Sequence, residues 1–138
     1  MRRCVGMLLV LFAWTGGARA DTWTPDNGNG TYTNPLFYDE FSDPDMIRVG
    51  EDFYLTGTTM HSMPGLPILH SKDLVNWNFV SYAARTLDLG PSFRLEGGGN
   101  IYGQGFWAPS FRHHEGTFYI FSNFRSTLFP PHVRARYF

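Results

Sequence analysis

Shifting the sequence by 65 residues lays Pro44 on Pro109, Phe53 on Phe118, Tyr54 on Tyr119 and Leu55 on Ile120. Each copy carries a turn between its proline and its aromatic pair, Gly50-Glu51-Asp52 in the first and His114-Glu115-Gly116 in the second. A pattern that begins again confines the chain to architectures made from one repeated unit. Short apolar runs at 45–49, 53–59, 67–71 and 78–82, separated by Gly, Asp and Asn turns, read as four strands of one antiparallel meander. Composition points the same way: 17% aromatic residues, fifteen glycines and nine prolines suit strands and tight turns. After the first twenty residues no apolar spacing of three and four indicates a helix, so the expected fold is all-β. A four-stranded unit that restarts is the mark of a β-propeller. The period exceeds the usual repeat of about 40–50 residues because residues 85–105 hold a glycine-rich insertion, expected on the surface.

Propellers close with about four to eight blades. This chain offers one complete blade and part of another over 34–124, so it reads as the truncated start of a propeller. Residues 125–138 bring two prolines and a run of arginines, a divergent tail expected to make no strand pairing and to be foreign to the fold. Residues 21–33 read as an extended linker. Ahead of it, Arg2 and Arg3, the apolar stretch from Cys4 to Trp14 and a small-residue ending at Ala20 compose a secretory signal peptide. Its apolar core falls short of the roughly twenty residues that cross a bilayer, which argues against a membrane anchor and for a secreted product, extracellular or periplasmic.

The only cysteine, Cys4, lies within that leader, so no disulfide can brace the rest and stability must come from burial. Arg2, Arg3 and Arg19 lie there too, leaving eight basic against twelve acidic residues, a net charge of −4. Such a balance gains nothing from phosphate backbones, so nucleic acid is excluded as a partner and a neutral ligand such as sugar is favoured.

Ser42-Asp43-Pro44-Asp45 stands just before the first inner strand, at the mouth of a propeller's central channel. Two carboxylates flank a proline that fixes its own φ and is expected to hold Asp43 extended, its side chain in one direction. The same residues also permit a plain Asx cap at a strand start. No metal or cofactor site emerges. His113 and His114 are adjacent on a strand and point to opposite faces, and His61, His70 and His132 show no ligand spacing. Phosphate loops and nucleophilic serine or cysteine patterns are absent as well.

Four segments occur together and in order: Asn34-Pro-Leu-Phe37, Ser42-Asp-Pro-Asp-Met-Ile-Arg-Val-Gly-Glu-Asp-Phe-Tyr-Leu55, His70-Ser-Lys-Asp-Leu-Val-Asn-Trp77 and Gly105-Phe-Trp-Ala-Pro109. Over residues 34–124 the chain resembles glycoside hydrolase family 43. That resemblance implies a five-bladed β-propeller and an inverting β-xylosidase, α-L-arabinofuranosidase or arabinanase acting on xylan- or arabinan-type oligo- or polysaccharide. It also implies Asp43 as the general base, in preference to Asp45. Trp107 is implied as a pocket-lining residue, against the alternative of a buried inter-blade tryptophan, while Trp77 is read as core. Met60 and His61 fall where members contact the sugar, although an aromatic residue often stands in place of Met60, so the sugar preference does not carry over.

Inversion requires a second, protonated carboxyl about 6.5–9.5 Å from the base. The resemblance assigns that acid, a partner aspartate and any central cation to later blades, and none of Glu40, Glu51, Glu96 or Glu115 matches the acid's context. The chain by itself is therefore expected to be inactive or nearly so. Three other readings stand beside this one: a retaining propeller enzyme cleaving sucrose and fructans, whose Asn-Asp-Pro-Asn-Gly motif Ser42-Asp-Pro-Asp-Met46 does not reproduce; a non-catalytic carbohydrate-binding propeller fragment; and a gene fragment without a stable product, since unpartnered blades expose sheet faces and edges.

Overall fold

The repeat is two antiparallel sheets. The computed structural model describes residues 23–87, 90–94, 96–125 and 133–136, so the expected signal peptide lies outside the described residues. The first sheet has strands β1 (Ser42–Val49), β2 (Asp52–Thr58), β3 (Gly65–Ser71) and β4 (Asn78–Ala84) in sequential order. The second has β5 (Gly105–His114), β6 (Thr117–Arg125) and β7 (Val133–Arg136), again in sequence order. Tight two-residue loops join the first two strands of each sheet, closing the pairs Val49↔Asp52 and His114↔Thr117. In the second loop both Glu115 and Gly116 have positive φ, as a type I′ turn demands.

The tail expectation needs correction at β7, whose backbone pairs with β6 from Ser122↔Val133 to Tyr119↔Arg136. Pro130 and Pro131, on which that expectation rested, lie outside the described residues.

One apolar cluster fills the space between the sheets. Leu66, Ile68, Ala83 and Ala84 of the first meet Phe106, Phe111 and Ile120 of the second. Leu87, Phe93 and Ile101, all from the glycine-rich insertion, complete it. The insertion is thus only partly superficial. Two short 3₁₀ turns, Pro91–Arg94 and Glu96–Gly98, fold it back on the sheets, and each large apolar side chain so buried stabilises by about 1.5–3 kcal/mol.

The opposite face of the first sheet is covered by the segment read as a linker. Trp23 is 7% exposed and packs with Leu69 and Trp77, its ring centroid 5.0 Å from Phe37 and 5.8 Å from Phe41. Behind it, Thr33 N–H donates to the Pro25 carbonyl at 2.8 Å, and Asn76 Nδ2 donates to Asp26 Oδ2 at 3.1 Å. One tryptophan and one carboxylate dock the arm, and neither leaves a periodic trace in sequence. Trp77 is core as expected, its indole N–H donating to the Leu74 carbonyl at 2.9 Å.

The loop between β3 and β4 is organised by Asp73, whose Oδ1 accepts from the Val75 and Asn76 N–H groups at 2.9 and 2.7 Å. Partial burial pushes this carboxyl up, but hydrogen bonds from Asn76, Val75 and Ser71 outweigh it and hold it at about 2. The folded value lies below the ordinary one, so its stabilisation is present above about pH 4 and fades as pH falls through about 2. Asp73→Ala is expected to cost about 1 kcal/mol near neutrality. In chemical melts at pH 7 and pH 2 the gap between variant and parent should shrink in acid; a pH-independent gap would contradict the assignment.

Candidate functional site

Two proline bulges meet at the first strands of the two sheets. Between Ser42↔Thr58 and Asp45↔Thr56 the pairing of β1 with β2 slips, so Asp43 and Pro44 together face Gly57. The second sheet repeats this between Trp107↔Asn123 and Ser110↔Phe121, with Ala108 and Pro109 facing Ser122. A two-against-one bulge accommodates proline because its extra residue needs no ladder donor.

Asp43 is not extended, as expected from the proline, but left-handed with φ 46°, and Ala108 matches it at φ 39°. Aspartate tolerates this region better than most side chains, yet such a residue still costs about 1–3 kcal/mol. The bulge, instead of the proline's steric bias, decides the backbone. Nor does the carboxylate form the local cap that the residues allowed. Its Oδ2 accepts the Thr58 hydroxyl at 2.9 Å, fifteen residues away.

Thr58 is the residue that sequence reasoning missed. It is 6% exposed at the end of β2, and its Oγ1 also accepts the Ala108 N–H at 2.8 Å. One hydroxyl therefore ties both left-handed bulges together across the inter-sheet contact. Nothing in a Thr-Thr dipeptide signals this, because the partners are fifteen and fifty residues distant.

The two carboxylates flanking Pro44 have separate environments. Asp45 Oδ2 accepts the Phe111 N–H at 2.7 Å and Arg112 Nη1 at 2.9 Å, so that carboxylate joins β1 to β5. Asp43 is exposed to solvent beside a cleft of about 290 Å³ lined by Glu40, Ser42, Thr58, Thr59, Met60, His61 and Ser62. Volumes of roughly 300 Å³ mark the small end of ligand pockets, room for a single sugar. Met60 and His61 are brought to this cleft. Glu40, the carboxylate among its described lining residues, accepts the Ser42 hydroxyl at 2.8 Å.

Trp107 stands apart from that lining. It is half-buried in the β5 bulge, with its carbonyl accepting the Ser122 hydroxyl at 2.8 Å. Its indole Nε1–H is enclosed without an acceptor among the described residues.

The loop bearing Met60 and His61 is locked to the second sheet. Met60 and Phe106 exchange two backbone hydrogen bonds of 3.0 Å each. Gly105 permits this approach, since a Cβ at that position would lie 2.0 Å from the Met60 carbonyl oxygen. Gly103 N–H donates to His61 Nδ1 at 3.3 Å, which assigns the neutral ring's proton to Nε2. Among the described residues no three His, Cys, Asp or Glu side chains converge as a metal site would need. His113 packs on Phe118 at 4.8 Å between centroids, while His114 lies 3.7 Å from Glu115.

Residues 32–129 match the family model for glycosyl hydrolases family 43. The chain belongs to that family. The matched stretch contains both bulges and the whole cleft, and it runs past residue 125, where the divergent tail was expected to begin. A β-xylosidase of Formosa agariphila is 38% identical over 104 residues, covering 75% of this chain and 17% of that protein. A non-reducing end α-L-arabinofuranosidase of Bacteroides ovatus is 41% identical over 90 residues, covering 65% and 16%. Among solved structures, a bifunctional GH43-CE protein of Bacteroides eggerthii superposes with a TM-score of 0.64 at 46% identity, over 68% of this chain and 12% of that one. The chain thus spans about a sixth of the length of the curated family 43 relatives it matches.

Proposed function

We propose that this chain carries the base side of an inverting glycosidase site for xylan- or arabinan-type oligo- or polysaccharides, exported by its N-terminal leader and belonging to a five-bladed propeller. The observation that carries the reading is Asp43: an exposed carboxylate on a left-handed bulge, oriented through Oδ2 by a buried hydroxyl, beside a cleft with no Lys or Arg among its described lining residues. Strain at Asp43, supported by the Thr58 hydroxyl of the neighbouring strand, is the kind of backbone feature that functional sites retain. Family membership and relatives named β-xylosidase and α-L-arabinofuranosidase support the substrate class.

In this reading Asp43 takes a proton from a water molecule as that water attacks the anomeric carbon. Met60 and His61 contact the sugar in the cleft, and the half-buried ring of Trp107 adds an aromatic surface outside that lining. A second carboxyl, about 6.5–9.5 Å from Asp43 across the glycosidic bond, protonates the departing oxygen; in this reading it belongs to later blades.

The test exploits the leaving group. 2,4-Dinitrophenolate departs without protonation, so the residual turnover expected of this nearly inactive chain should be confined to 2,4-dinitrophenyl β-xyloside or α-L-arabinofuranoside. On 4-nitrophenyl xyloside or xylobiose, turnover is expected to be roughly 10²- to 10⁴-fold lower than in a complete site, the usual worth of general acid help. Proton NMR of fresh product should show the inverted anomer. Retained stereochemistry would remove the inverting mechanism, and binding of xylose without turnover of the dinitrophenyl glycosides would reduce the chain to a carbohydrate binder.

A further inference from the structure

The glycine-rich insertion holds a feature that core packing does not explain. Its turn at 100–103 is tightly made: Tyr102 N–H donates to Asn100 Oδ1 at 3.0 Å and Gln104 N–H to the Ile101 carbonyl at 2.9 Å, with Gly103 at φ 68°. Its base is anchored too, because Ile101 is buried in the inter-sheet core and Gly103 N–H holds His61. Yet this rigid turn carries Tyr102 at its tip with the side chain 84% exposed. An aromatic ring left in water forgoes the burial that drives folding, and a preorganised turn keeps it there at little entropic cost on binding.

The surroundings indicate what would cover the ring. Tyr102 lies 5.3 Å from the His61 ring between centroids, and His61 lines the cleft beside Met60. A path leaving the cleft therefore meets His61 and then Tyr102. What this path offers is an aromatic face, a phenol hydroxyl and the His61 Nε2–H, with no Lys or Arg among the described residues lining the cleft. Its complement is an uncharged ring with one apolar face and hydroxyls at its edge.

We propose that Tyr102 is the platform of a second sugar subsite, stacking the next residue of an oligosaccharide whose terminal residue occupies the cleft. This rests on reading the cleft as the sugar pocket. The ligand class is accordingly a linear oligosaccharide of neutral pyranose or furanose units, favoured over the monosaccharide.

The experiment is calorimetric or NMR titration of the chain with xylose and with xylotriose, for the parent, Tyr102→Ala and Tyr102→Phe. The expected result is a xylotriose affinity about tenfold above that for xylose in the parent. The ratio is kept in Tyr102→Phe, which preserves the ring face, and falls to near one in Tyr102→Ala. Thermal melts show whether the variants keep the parent's fold, as expected for a side chain standing in solvent. Equal affinities in the parent, or a ratio that survives Tyr102→Ala, overturn the subsite while leaving the pocket reading intact. Failure of both sugars to bind the folded parent overturns the pocket itself, and the subsite with it.

Discussion

Asp43→Asn should lower the hydrolysis of 2,4-dinitrophenyl β-xyloside by roughly 10²- to 10⁴-fold in kcat, with little change in KM. The substitution preserves shape and a hydrogen-bonding oxygen for the Thr58 hydroxyl, so the bulge should persist. What disappears is the capacity to accept a proton from water. A dinitrophenyl substrate isolates that loss, because protonation of the leaving group no longer limits the rate. Undiminished turnover by Asp43→Asn would end the base assignment. The same assay reaches the orienting contact. Thr58→Val keeps the side chain's volume but deletes both the donor to Asp43 and the acceptor of the Ala108 N–H. A fall in kcat of about tenfold is expected, from loss of a hydrogen bond to a charged group, with recovery in Thr58→Ser. If valine and serine behave alike, the hydroxyl does not position the carboxylate.

The second large effect concerns stability. Asp45→Ala strips the acceptor from the Phe111 N–H, whose residue is almost wholly buried, and leaves it unpaired. Such a group costs about 1–3 kcal/mol, the upper half applying to charged partners, and for a body of this size that lowers Tm by roughly 10 °C. Asp45→Asn retains an oxygen for Phe111 and sacrifices only the ion pair with Arg112, whose side chain is 60% exposed. Exposed pairs contribute about 0–1 kcal/mol. Asp45→Asn and Arg112→Met should therefore both melt close to the parent. A calorimetric scan in which Arg112→Met falls as far as Asp45→Ala would show that the charge pair, and not the backbone acceptor, joins the sheets.

Much of this protein was legible without coordinates because sheets write themselves locally. Alternation and turn chemistry in 45–82 imply four antiparallel strands, and the offset of 65 residues implies their renewal. Even the duplicated bulge has a trace, in the recurrence of a proline at the same place in each copy. Residues with roles defined by distant partners left no such trace. Trp23 reads as part of a polar arm until it is seen against Phe37 and Phe41. Leu87, Phe93 and Ile101 read as punctuation in a glycine-rich loop until they fill the inter-sheet core.

By itself the sequence determined the all-β class, the repeat, family membership and Asp43 as the carboxylate to test. The class follows from patterns within single strands and turns, and the rest from short motifs that recur or occur in order along the chain. Tertiary structure alone decided that Asp43 is left-handed, that Thr58 holds it, that Asp45 serves the sheet junction and that Tyr102 stands over His61. Asp43 and Thr58 meet within one slipped strand pair, fifteen residues apart, while the contacts of Asp45 with Phe111 and of Tyr102 with His61 join distant segments that meet only when burial of the shared core brings the two sheets together.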